Sequence, residues 1–136
     1  MIVQYNTNRN VDVAAPYTLN LSRDRVTDEV SEVRILAADH SLLNFPNKIT
    51  TKDFRGWVQE RGLYFPTTWS HEYTSILSMN DPGETAKNGS LLIAKFGKGN
   101  YLYTGLSFFR ELPQGFGVSP KSWDLFRYLP RLCGRT

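Results

Sequence analysis

The sequence has one cysteine, Cys133, and two histidines, His40 and His71, in 136 residues. A lone thiol builds no disulfide framework and offers no metal-ligand spacing. Around it, Arg131-Leu132-Cys133-Gly134 supplies neither a histidine nor a strand-turn-helix elbow that would activate a nucleophile. Two imidazoles could form a zinc site only with carboxylates from distant segments. His71-Glu72 opens like an HExxH motif, but Ser75 stands where the second histidine belongs. No run of about 18 apolar residues argues for a membrane helix, and MIVQYNTNRN has neither the charged start nor the apolar stretch of a signal peptide. Phosphate loops are missing too: Gly97-Lys98-Gly99 is not a GxxxxGKS or GxxxxGKT pattern, and Gly115-Phe116-Gly117 does not reach a third glycine. No cofactor is expected.

Charge of one sign is also scarce. Of sixteen Lys/Arg, the last sixteen residues hold Lys121, Arg127, Arg131 and Arg135, and of thirteen Asp/Glu they hold Asp124 alone, leaving twelve of each in residues 1–120. The net charge of +3 is therefore a property of the tail, and no nucleic-acid partner is expected of the neutral body. As written, the chain reads as soluble and cytoplasmic. A periplasmic or extracellular location would need a signal peptide upstream.

What is present is a folding signal. With 40% hydrophobic and 13% aromatic residues, the composition is that of one globular domain. Two apolar runs, Leu91–Phe96 and Tyr101–Leu106, flank Gly97-Lys98-Gly99-Asn100 and predict a β-hairpin. Neither run alternates, so both faces should be covered, which places the hairpin at the centre of the core. Met1–Asn6 reads as a short strand that lacks upstream βα cover, followed by a polar turn over Asn6–Asn10. Val11–Val30 shows little periodicity and predicts a long surface loop, charged over Ser22–Glu29. Val33–Leu36 is a short apolar run, and Thr50 or Thr51 should cap a helix carrying Phe54, Trp57 and Val58 on one face and ending near Gly62. Leu63–Phe65 reads as a strand closed by Pro66, and Thr74–Met79 as another before the turn Asn80-Asp81-Pro82-Gly83. Trp123, Leu125, Phe126, Tyr128 and Leu129 suit a short helix broken at Pro130.

These segments together resemble a known family. Gln4-Tyr5-Asn6, SRDRVTDE at Ser22–Glu29, Asn47–Thr50, WVQERGLYFP at Trp57–Pro66, Asp81–Glu84 and GKGNYLYTGLSFFRELPQG at Gly97–Gly115 are similar to the C-terminal region of bacterial PIG-L/LmbE-type deacetylases. There, a zinc-dependent N-acetyl-sugar deacetylase domain precedes one resembling class I glutamine amidotransferases or ThuA-like proteins. The resemblance covers about residues 2–115 and implies an α/β fold: a partial flavodoxin-like or amidotransferase-like mixed sheet with flanking helices, lacking upstream strands. Residues 116–136 depart from it as a divergent basic tail. The HPDD-like metal motif of the deacetylase is absent, so that activity is not expected of this chain. In the amidotransferase frame GxQFHPE, the chain reads Gly105-Leu106-Ser107-Phe108-Phe109-Arg110-Glu111, with Phe109 at the histidine position. A phenyl ring accepts no proton, so a Cys-His-Glu relay is excluded. Beside Arg110, Glu111 reads as half of an ion pair.

Three roles follow as expectations. The first is a non-catalytic accessory domain beside a deacetylase, in the same or a partner chain, that binds a glycan or acetylated amino sugar through Trp69, His71, Tyr73, Arg110 and Glu111, without a metal. The second is a small hydrolase acting on a carbohydrate with two carboxylates from Asp24, Asp28, Glu72 and Glu111. The third is an assembly domain that self-associates through an unpaired edge at Met1–Tyr5.

Overall fold

The structure, a computed structural model, describes residues 1–4 and 15–111. The turn expected over Asn6–Asn10, the helix expected in the tail, and Cys133 lie outside the described residues.

The hairpin forms where the sequence places it. Strands β8 (Lys87–Phe96) and β9 (Gly99–Thr104) pair antiparallel in register from Leu91↔Thr104 to Phe96↔Gly99. Gly97 has φ +56°, the positive value that a tight two-residue hairpin turn requires and that glycine adopts at least cost. Side chains on a strand alternate between faces, and here both faces are buried. Leu91, Ile93 and Leu102 join the core of Val26, Val33, Leu42, Leu43, Phe54, Trp57, Phe65 and Phe108. Leu92, Ala94, Tyr101 and Tyr103 join Leu19 and Tyr73 on the other face, with Tyr17, Leu21 and Trp69 packed against them.

The remaining strands extend this pair. With β1 (Ile2–Gln4), β4 (Arg34–Ile35) and β7 (Tyr73–Met79), it forms a five-stranded sheet of order β1-β9-β8-β7-β4. β1 runs parallel to β9 and the other neighbours are antiparallel. This is the expected mixed sheet of an α/β-type fold, open, with β1 at one edge among the described residues. The described helices are single turns, α1 (Ser41–Asn44) and α2 (Phe108–Glu111), whose Leu42, Leu43 and Phe108 enter the first core. His40 caps α1: its Nδ1 accepts from Leu42 N–H at 3.1 Å, and burial holds the imidazole below its ordinary pKa, favouring the neutral form that can accept.

Three local expectations are corrected. The helix after Thr50 is only a 3-10 turn, Thr51–Phe54. Asp53 does sit in its first turn, its Oδ2 accepting from Thr50 N–H at 2.7 Å, but Gly56 (φ +72°) and Gln59 (φ +66°) are left-handed and no helix passes through them. Phe54 and Trp57 are still core residues, stacked with centroids 6.2 Å apart. Pro66 does not close a strand; it opens β6 (Pro66–Trp69) after the short β5 (Gly62–Leu63). First place in a strand is where a residue without an N–H is tolerated. The described part of the supposed surface loop contains β2 (Leu19–Leu21), paired with β6, and β3 (Arg25–Val26), paired with β5. Leu19 and Val26 are both buried.

The turn after β7 ties this region down. Asp81 carboxylate oxygens accept from Thr27 N–H, Thr27 Oγ1 and Asp28 N–H at 2.8–2.9 Å. Burial alone would raise its pKa, yet these bonds hold it below the ordinary carboxylate value.

Candidate functional site

The carboxyl end of β9 is where an open α/β sheet commonly carries its chemistry. Here it is packed with ion pairs. Glu60 takes Arg110 Nη1 on Oε1 at 2.9 Å and Arg25 Nη2 on Oε2 at 2.9 Å. Arg110 therefore pairs with Glu60, and the expected Arg110–Glu111 pair is replaced by a different partner for each. Glu111 is 3% exposed and its Oε1 accepts from Val58 N–H at 3.1 Å. Phe109 falls within α2.

Beneath them lies Arg61, also buried. Its Nη1 donates to Phe54 O at 2.6 Å and Nη2 to Ser31 O at 2.8 Å, and the guanidinium stands 5.5 Å from the Trp57 ring centroid. Burial lowers its pKa, opposed by the charges of Asp28, Glu111 and Glu29, and arginine stays a cation in any case. Burial likewise pushes the Glu111 carboxyl up, against the Val58 N–H and Arg61. Glu111 Oε2, Ser107 Oγ and Arg61 Nε are buried without hydrogen-bond partners among the described residues. The two carboxyl oxygens are thus unequal: Oε1 accepts from the Val58 backbone and Oε2 takes no hydrogen bond among the described residues.

A pH experiment follows from this geometry. A carboxyl whose folded pKa is raised contributes stability that is full below its unfolded value, about 4.3, and is lost as pH rises through the folded value. Glu111→Gln keeps a carbonyl oxygen for Val58 and cannot ionise. It should match the parent in urea unfolding near pH 4 and exceed it near pH 7. A parent whose advantage instead grew with pH would show that ionised Glu111 is the stabilising form.

The turn between β6 and β7 holds Ser70, His71 and Glu72 on the surface. The His71 side chain is 91% exposed, with Nδ1 3.5 Å from Glu72 Oε2. Ser70 Oγ donates to the same oxygen, and this bond, ahead of the His71 charge, lowers the Glu72 pKa. The serine hydroxyl is thus held as a donor to the carboxylate. Tyr73 points the other way, into the second core. It is 5% exposed, its OH donates to Tyr17 O at 3.0 Å, and its ring meets Tyr101 edge-on at 6.2 Å.

Trp69 occupies a third location and lines an open groove. A methyl group added to Gly89 would meet its six-membered ring at 2.8 Å, so the indole lies directly on the bare backbone of β8. The groove has a volume of about 670 Å³ and runs between β6, Asp24, and the segment Gly83–Asn88 that leads into β8. That volume is within the range of about 300–1,000 Å³ usual for small-molecule sites. Its polar groups are arranged unevenly. Lys87 Nζ, on a side chain 10% exposed, is 2.7 Å from Glu84 Oε2. Asn88 Oδ1 accepts from Ser78 Oγ at 2.8 Å. Among the described residues Asp24 bonds only through its backbone N–H, which donates to Ser22 Oγ at 2.9 Å, and its carboxylate has no partner.

Of the five expected ligand-binding residues, then, the groove takes Trp69. His71 lies on the adjoining turn, Tyr73 in the core, and Arg110 and Glu111 in the ion-pair cluster. The four carboxylates considered for hydrolysis are spread likewise: Asp24 at the groove, Glu72 on the turn, Glu111 buried, and Asp28 near Arg61 with its Oδ1 accepting from Val30 N–H. Among the described residues no group of three or more His, Cys, Asp or Glu could hold a metal ion. Lys87 and Asn88 were not foreseen; the signal beside them is Gly89, since a glycine inside a strand marks close approach of another group, here the Trp69 ring. Neither a protein-family model, nor a curated protein, nor a solved structure matches the chain.

Proposed function

We propose that this chain is a non-catalytic accessory domain that holds a glycan in the Trp69 groove. The observation that carries the reading is the indole seated on Gly89 at the wall of an open groove whose other walls offer a carboxylate, an amide, an ammonium and Thr67. An aromatic side chain offers apolar area to a sugar ring while polar neighbours fix its hydroxyls. The packed carboxyl end of β9 is in keeping with a domain that binds without turnover, since Glu60 is paired with Arg110 and Arg25, while Arg61 and Glu111 are bonded to backbone. The resemblance to the C-terminal region of PIG-L/LmbE-type deacetylases supplies the partner, a sugar deacetylase in the same or another chain, and the finer amidotransferase-like assignment of the sheet.

Calorimetric titration with β-1,4-linked amino-sugar oligomers, acetylated and not, tests the reading. Binding should weaken about tenfold or more in Trp69→Ala, the effect of removing an aromatic anchor, with the circular dichroism of the parent retained. Absence of binding to every oligomer by the unmutated protein would remove the glycan from the proposal.

A further inference from the structure

Among the described residues, the groove is lined by two carboxylates, Asp24 and Glu84, and one ammonium, Lys87. Lys87 and Glu84 compensate each other at 2.7 Å. That leaves the carboxylate of Asp24, which is exposed and takes no hydrogen bond or ion pair among the described residues. It lines the same groove as Trp69, so one wall offers an indole and another an anion with no counter-charge bonded to it among the described residues. A carboxylate only accepts hydrogen bonds, and an indole attracts cations as well as apolar ring faces. An N-acetyl group would offer Asp24 one amide donor. A free ammonium offers three donors and a charge.

Resting on the glycan reading above, we infer that the groove prefers amino sugars bearing a free amine over their N-acetylated forms, with Asp24 as the residue that reads the ammonium. The domain would then hold a de-N-acetylated glycan. Chemically, that is the product of amide hydrolysis on an acetamido sugar, and a reaction of that class must supply it.

The test compares a β-1,4-linked glucosamine tetramer with its N-acetylated counterpart at low and at 0.5 M salt, a concentration near the upper end of ordinary screening. For an exposed ion pair the preference should be about three- to fivefold in favour of the amine. It should shrink at high salt and disappear in Asp24→Asn, a change that breaks no hydrogen bond or ion pair among the described residues and should melt with the parent. Tighter or equal binding of the acetylated tetramer would overturn this inference and leave the glycan reading standing. Binding of neither would overturn both, and a preference for the amine that survives in Asp24→Asn would take the assignment away from Asp24.

Discussion

Gly62→Ala should lose the native fold, or retain it only with stability lowered by more than about 4 kcal/mol, the range reserved for severe packing faults. The added methyl would stand 2.2 Å from Gly105 O, 2.8 Å from Gly105 C and 2.9 Å from a Phe65 ring atom. Two of these atoms are backbone at the end of β9, where Leu63 N–H also donates to Gly105 O at 2.9 Å. A flexible side chain could swing aside; this carbonyl cannot move without breaking that bond and the Gly62↔Leu106 bridge. Typical overpacking costs of about 1–3 kcal/mol assume that something yields. Gly83→Ala is the informative contrast: φ is +82° there and nothing lies within 4 Å, so only about 1 kcal/mol of backbone strain is expected. Urea unfolding of both variants decides the matter. A Gly62→Ala protein that unfolds with the parent would mean that β5 does not lie against β9 as closely as described.

Arg61→Met should cost about 3–5 kcal/mol, the loss found when one member of a buried charged cluster is removed. Methionine preserves the stem and its packing on Trp57 but leaves Phe54 O and Ser31 O without their donors at 2.6 and 2.8 Å. It also removes the cation that offsets Glu111, Glu29 and Asp28. A midpoint lower by on the order of 10 °C is expected in thermal melts. Lysine should recover less than its charge suggests, because one ammonium lacks the fork that reaches two carbonyls. Adding Glu111→Gln to Arg61→Met should return part of the loss, since the carboxylate then no longer needs a counter-charge. An Arg61→Met protein as stable as the parent would sink the idea that this cluster holds the loops together.

The parts of the fold legible in the sequence are those whose signal is local. Gly97-Lys98 fixed the turn, and unbroken apolar runs on either side announced strands covered on both faces. Asp53 marked a turn start correctly, yet Phe54, Trp57 and Val58 imitated a helical face. The left-handed backbone at Gly56 and Gln59 belongs to a loop held by distant groups: Glu29 accepts from Gln59 N–H at 2.8 Å and Glu111 from Val58 N–H at 3.1 Å. No window around residue 57 contains either carboxylate. β2 and β3 escaped notice for a related reason, as two or three residues are too few for periodicity and their partners, β6 and β5, lie some forty residues on. For the groove, Trp69 and Asp24 were each noticed, one as an aromatic and one as a carboxylate. Their convergence depends on how the β7–β8 connection lies against β6, which spacing does not encode.

The parallel pairing of β1 with β9 has a kinetic side. Ile2 sits opposite Leu102, a separation of 102 − 2 = 100 residues. Closing so long a loop is costly in chain entropy and slow relative to forming the β8–β9 hairpin. On a ribosome adding about 5–20 residues per second, the first strand would emerge roughly 5–20 s before its partner exists. β1 should therefore dock last onto an already formed hairpin, and its amides should be among the first of the sheet to exchange with solvent in the native state. A strand of three residues keeps that wait less hazardous, because it presents only a short template for wrong pairing.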